Sequence, residues 1–127
     1  MKTIKVRDFM TSPVATAVLD SDVGRIRDLM NLKNCSAIPI VEIKGENILI
    51  RGIVTKNDIV GVFDDTVKAS QIMKRSTYVV DSDYTAQEAA KLMLQHKTHH
   101  LLVLEEGNLV GMISSLDFVR LFASEEI

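Results

Sequence analysis

Residues 52–59 read GIVTKNDI, and residues 111–118 read GMISSLDF. In each, a glycine leads through two apolar residues to a hydroxyl side chain, Thr55 or Ser114, and an aspartate follows three places on, Asp58 or Asp117. A pattern of this kind returning within one short chain points to internal duplication, in which neither copy can bury its hydrophobic face alone.

Aligning the chain with itself extends the match. Met10 falls on Met73, Asp20 on Asp83, and Leu29-Met30 on Leu92-Met93, all at a separation of 63 residues. At the same separation the apolar run Ala37-Ile38-Pro39-Ile40-Val41 overlays His100-Leu101-Leu102-Val103-Leu104. From Gly52 onward the separation is 59, so the first copy carries four extra residues within EIKGENILIR, where the second has EEGNL. A hairpin absorbs such an insertion, and Lys44-Gly45-Glu46-Asn47 and Glu106-Gly107-Asn108 both have turn chemistry. Asp20-Ser21-Asp22 and Asp81-Ser82-Asp83 look like a duplicated acidic motif but stand 61 apart, out of register. They read as helix-entry residues.

Each copy reads as strand, helix, strand, strand, helix. The first strands fall at 14–18 and 78–80. Val23, Ile26, Leu29 and Met30 have the spacing of an amphipathic helix, as do Ala86, Ala89, Ala90, Met93 and Leu94. Thr85-Ala86-Gln87-Glu88 is a capping box that fixes the start of the latter helix. Hairpins pair 38–43 with 48–54 and 101–105 with 109–113, and closing helices run over 56–62 and 115–123. Met10, Met30, Met73, Met93 and Met112 are assigned to core packing.

Bulk composition excludes several classes of function. At 127 residues the chain sits at the commonest domain size and buries about two-thirds of its unfolded surface. With 46% hydrophobic and 25% charged residues it reads as soluble and globular. A net charge of -2 and the absence of a basic run argue against nucleic acid. The opening MKTIKVRDFM lacks the apolar stretch of a secretory leader, so a cytoplasmic protein with no membrane partner is expected. The single Cys35 is read as structural.

The tandem arrangement of apolar strand, helix ending in Leu-Met, Ile-Pro-Ile-Val strand, turn and GIVTKNDI resembles a pair of CBS domains, often called a Bateman module, over residues 4–122. The resemblance implies an α/β (α+β) fold of two pseudo-symmetric repeats, 4–63 and 67–122, packed through their sheets as one compact module. It also implies clefts between the repeats that hold an adenosine-containing ligand, and pairing of modules into a homodimer.

Chemistry supports a ligand site independently of the family. A hydroxyl at the junction of strand and helix lies beside free backbone N–H groups, where phosphate oxygens are favoured. One helical turn on, Asp58 or Asp117 can accept both hydroxyls of a ribose. Gly52 and Gly111 would let a flat base approach the backbone. Equally, Thr55-x-x-Asp58 and Ser114-x-x-Asp117 resemble capping boxes that touch no ligand. Ribose and phosphate contacts are therefore expected from Thr55, Lys56, Asp58, Ser114 and Asp117, with His99 and His100 as further phosphate partners. The family resemblance adds a base pocket of Thr16, Ala17, Ile38, Pro39 and Ile53 in the first copy, and of Val79, Val80, Leu101, Leu102 and Met112 in the second. There Leu102 replaces the family's usual proline. Because Lys56 corresponds to Ser115, and His99 and His100 to Ser36 and Ala37, the two sites are not expected to bind alike. Arg75 is a further phosphate candidate or part of a solvated turn.

His96, His99 and His100 are not expected to bind metal, because the helix should end before His99 and no cysteine or aspartate joins them. No catalytic residues are assigned, since no nucleophile has a base and no phosphate loop is present. The expected function is a regulatory sensor of AMP, ADP, ATP or S-adenosylmethionine, requiring no other cofactor and acting on an effector protein in trans. A ligand-free dimerisation scaffold is the alternative.

Overall fold

A computed structural model describes residues 3–124 of the chain. Its elements are α1 (Val6–Phe9), β1 (Ala17–Val18), α2 (Val23–Lys33), β2 (Ala37–Lys44), β3 (Asn47–Thr55), α3 (Lys56–Ile59), α4 (Ala69–Ile72), β4 (Val79–Asp81), α5 (Ala86–His96), β5 (His100–Glu105), β6 (Asn108–Ser114) and α6 (Ser115–Ala123). They form a mixed α/β fold with two three-stranded sheets, ordered β1-β2-β3 and β4-β5-β6. In each sheet the first pair is parallel and the second antiparallel.

The chain divides into two compact units. One is Ala15–Thr77; the other joins the residues up to Val14 with those from Tyr78 onward. In the first unit Ile26 and Met30 of α2 pack on Ile38, Ile40 and Val54 of the sheet. Asp22 caps α2 by accepting the Arg25 N–H at 2.9 Å. The helix ends where Asn34 turns left-handed at φ 52°. In the second unit Ala89 and Met93 of α5 pack on Val80, Leu101, Val103 and Ile113. The Thr85–Glu88 capping box forms as read from the sequence, with reciprocal bonds of 3.0 and 3.1 Å. Its helix ends at Lys97, φ 53°, the counterpart of Asn34.

The acidic triplets occupy different places. Asp22 enters a helix as expected, but Asp81 closes β4, Asp83 pairs with Arg7, and the helix-entry position of the second unit belongs to Thr85. Register explains the correction, because Asp22 and Thr85 are 63 apart.

The four-residue insertion has a defined structural result. Beyond a bulge after Ile40, β2 and β3 continue through four pairs to Lys44↔Asn47; beyond the matching bulge after Val103, β5 and β6 continue through only two, to Glu105↔Asn108. Two extra rungs have been added to the ladder, and a two-residue turn closes each hairpin. Glu106 and Gly107 both take positive φ, at 51° and 80°, as a primed hairpin turn requires.

Two short helices were not read from the sequence: α1 and α4, four residues each. A single turn carries no measurable periodicity, which is why the pattern did not reveal them. They are nevertheless equivalent. Lys5 N–H donates to Asp8 at 2.9 Å and Lys68 N–H to Gln71 at 2.8 Å, 63 residues along. After α1, Thr11 pairs antiparallel with Met112; after α4, Lys74 pairs with Ile53 in the same way. The leading segment of the first repeat thus belongs to the unit built on the second, and the leading segment of the second repeat belongs to the unit built on the first. The sequence repeats and the compact units cut the chain differently.

Candidate functional site

At the first candidate site, β3 ends in Thr55 and α3 begins. Asp58 Oδ2 accepts the Thr55 backbone N–H at 2.8 Å and its hydroxyl at 3.0 Å, so the carboxylate half of a capping box is made. Its other oxygen, Oδ1, lies 3.6 Å from Lys74 Nζ, and the Asp58 side chain is only 12% exposed. Lys74 is held there by its two-way backbone pairing with Ile53, at 2.9 Å in each direction. Lys56, offered by the sequence as a phosphate partner, instead lines a groove of about 500 Å³ along α2 and α3 with Arg27, Met30, Ile59 and Phe63. Its backbone N–H is spent on Ser36. Because α3 is a single turn, its aligned peptide dipoles add little field at this end.

The second site repeats the geometry with different charges. Asp117 Oδ2 accepts the Ser114 N–H at 2.8 Å and its hydroxyl at 3.3 Å. Here Oδ1 takes its bond from Arg120, one turn along the nine-residue α6, at 3.2 Å. His99 sits beside Ser115, Nδ1 to Oγ 3.0 Å, and His100 begins β5 half-buried. His96 is separate from both, stacked on Tyr78 with ring centroids 4.2 Å apart. The helix ends at His96, before His99, as the sequence indicated. Neither Lys74 nor Arg120 was singled out in the sequence as an aspartate partner. For Arg120 the signal was available, a basic residue one turn beyond Asp117.

The base-pocket residues divide by face. Ala17 and Ile38 lie in the core cluster of the first unit, and Val80 and Leu101 in that of the second, so their side chains are turned toward the helices. Strand alternation puts Thr16, Pro39 and Ile53 on the opposite face of the first sheet, and Val79, Leu102 and Met112 on that of the second. Pro39 pairs with Ile53, and Leu102 with both Val79 and Met112. The departure at Leu102 has a visible consequence: its N–H donates to Tyr78 O at 2.9 Å, and β4 begins one rung earlier than β1. Proline at 39 has no N–H to give, which shortens β1 to two residues.

Gly52 and Gly111 have a different neighbour from the one expected. A Cβ on Gly52 would meet Lys74 O at 2.6 Å and Met73 Sδ at 2.8 Å; on Gly111 it would meet Met10 Sδ at 2.7 Å and Thr11 O at 2.8 Å. The chain's own leading segments occupy the space, so packing accounts for both glycines without a base.

Among the described residues no cluster of three metal-ligating side chains occurs, and no helix is long and apolar enough to cross a membrane. Burial raises the Cys35 thiol above its usual value, which suits a packed rather than a reactive cysteine.

Two β-α-β-β-α repeats, each ending in a hydroxyl three residues before a carboxylate, define a duplicated module with two equivalent rims. The family model described as CBS domain matches twice, at residues 6–65 and 69–124, and the chain belongs to that family. It is 35% identical over 120 residues to protein MJ0188 of Methanocaldococcus jannaschii, covering 92% of this chain and 43% of that protein. It is 29% identical over 114 residues to the CBS domain-containing protein YhcV of Bacillus subtilis, covering 86% and 79%. Against the first of these the chain spans less than half the relative's length. Inosine-5'-monophosphate dehydrogenase of M. jannaschii is 26% identical over 117 residues, 91% of this chain and 23% of that enzyme. Among solved structures, the CBS domain pair of protein MJ0100, crystallised with 5'-methylthioadenosine and S-adenosyl-L-methionine, superposes with a TM-score of 0.85 at 24% identity, covering 98% and 100%.

Proposed function

We propose that this CBS pair is a cytoplasmic regulatory sensor without catalytic activity of its own, and that it binds an adenosine-containing ligand of the AMP, ADP, ATP or S-adenosylmethionine type at the Thr55–Asp58 and Ser114–Asp117 rims. The observation that carries this reading is the duplicated geometry: in each unit a part-buried carboxylate keeps one oxygen on the backbone and turns the other toward a cation. That second oxygen can accept a ribose hydroxyl, while at the first rim Lys74, 3.6 Å from Asp58, can follow an anionic group. The MJ0100 pair, similar in fold, holds two adenosyl compounds. Ligand energy that differs between two arrangements of the module shifts their populations and passes the signal to an effector in trans.

A homodimer is part of the same proposal. Val60 and Phe63 are 79% and 92% exposed, and Val119 and Phe122, 59 residues on, are 60% and 74% exposed. An apolar pair kept outward in both repeats suits a self-complementary interface. Mutating Phe63 and Phe122 to glutamate should yield a monomer by analytical ultracentrifugation.

The scaffold reading has an observation on its side as well, since both carboxylates already cap backbone N–H groups. Thermal melting with AMP, ADP, ATP and S-adenosylmethionine separates the two. A ligand at 100 times its Kd adds about 2.7 kcal/mol and raises the midpoint by several degrees. Asp58→Ala and Asp117→Ala should each remove one site from the titration. Midpoints unmoved by all four at millimolar concentration would leave the scaffold.

A further inference from the structure

The two rims differ at one position that the repeat register makes directly comparable. Lys74 pairs with Ile53 in one unit, and Thr11 pairs with Met112 in the other; Thr11 and Lys74 are 63 residues apart, Ile53 and Met112 59 apart. The two residues therefore occupy the same place in the fold, each on the segment that runs beside its unit's site strand. Lys74 extends its ammonium to Asp58 at 3.6 Å, beyond ordinary hydrogen-bond length, while its side chain stays 60% exposed. It keeps its three donors available to a newcomer. At Asp117 the cation comes from a different place, Arg120 of α6, and it sits within hydrogen-bond length at 3.2 Å. Thr11 brings no charge, Ser115 replaces Lys56 and meets His99, and Arg120 is held by Asp117 itself.

We infer that Lys74 determines ligand charge at the first site: the Thr55–Asp58 rim takes a phosphorylated adenosyl ligand, and the Ser114–Asp117 rim takes one without phosphate. The inference rests on the adenosyl-sensor reading and assigns a ligand class to each of its two sites. At the first rim Asp58 Oδ1 receives the ribose hydroxyl, and Lys74, relieved of its loose pairing, turns to the phosphate. At the second, a phosphate would find its nearest guanidinium already bound to a carboxylate.

Isothermal titration calorimetry with AMP and with adenosine tests this on the intact chain. Lys74→Thr should weaken AMP at one site by about tenfold, the order expected of a single charge-assisted bond made by a half-exposed lysine, and leave adenosine unchanged. Thr11→Lys should tighten AMP at the other site by a similar factor. Added salt should weaken AMP in the wild type more than in Lys74→Thr. Melting midpoints near wild type show that both variants fold. Equal losses of AMP and adenosine in Lys74→Thr, or an unchanged AMP affinity in both variants, overturns the inference while the sensor reading stands. Failure of the wild type to bind either compound overturns the inference; the sensor reading falls with it only if ADP, ATP and S-adenosylmethionine also leave the protein unmoved.

Discussion

Gly52→Ala probes the packing of the leading segment most directly. The added methyl would sit 2.6 Å from Lys74 O and 2.8 Å from Met73 Sδ. The thioether can swing aside; the carbonyl cannot, because it accepts the Ile53 N–H at 2.9 Å and the reverse bond from Lys74 N–H is also 2.9 Å. Overpacking of this kind costs about 1–3 kcal/mol, and strain on the two bridging bonds adds about 1 kcal/mol. A loss of roughly 2–4 kcal/mol lowers the melting midpoint of a domain this size by roughly 8–16 °C. Circular dichroism of the ligand-free protein measures it, with Gly61→Ala as control, since nothing lies within 4 Å of a Cβ there and the change should stay within about 0.5 kcal/mol. A Gly52→Ala protein that melts within about 2 °C of wild type, on the same scale, would refute the packing account and return this glycine to the role of admitting a base.

Other expectations concern the helix ends. Asp117→Ala removes the acceptor of the Ser114 N–H and should cost about 1 kcal/mol in urea unfolding; no change would remove the cap from consideration. The Glu88 carboxyl is held below its usual value by the Thr85 backbone N–H and then by the Thr85 side chain. Its folded-state pKa is depressed, so its stabilisation is full above the ordinary glutamate range and is lost as pH falls through the folded value. Glu88→Gln should therefore be less stable than wild type at pH 7, with the gap closing in acid; a gap independent of pH would contradict this. Lys97→Gly should stabilise by about 1 kcal/mol, because lysine at φ 53° pays the left-handed penalty that glycine avoids. An unchanged or lowered midpoint would count against it.

How much of this was legible in the sequence depended on the reach of each signal. The duplication, the hairpins and the capped helix starting after Thr85 were readable because period, turn residues and caps are local. The apolar pattern gave strand positions to within a few residues, yet β1 came out shorter than read because Pro39 removes its first rung. At the candidate site, Asp58 and Asp117 stood out through spacing. Lys74 did not, because it reaches Asp58 only through a backbone pairing that spans the loop between repeats, a contact with no sequence period. The same holds for Gly52 and Gly111: the residue type announced a close approach, but what approaches was visible only in three dimensions.

The crossed leading segments bear on how such a chain can be divided. A fragment ending near residue 65 would contain the strands of the first unit but not Ala69, Met73 or Lys74, leaving part of its core and the edge of β3 bare. The segment it does carry at its start, Val6 with Met10, packs on the other unit's core. A lone half is thus open at one edge and holds a spare arm shaped for the related edge. Two such halves from separate molecules could each close the other by reciprocal loan, so truncation at the repeat boundary should produce interlocked pairs rather than isolated monomers.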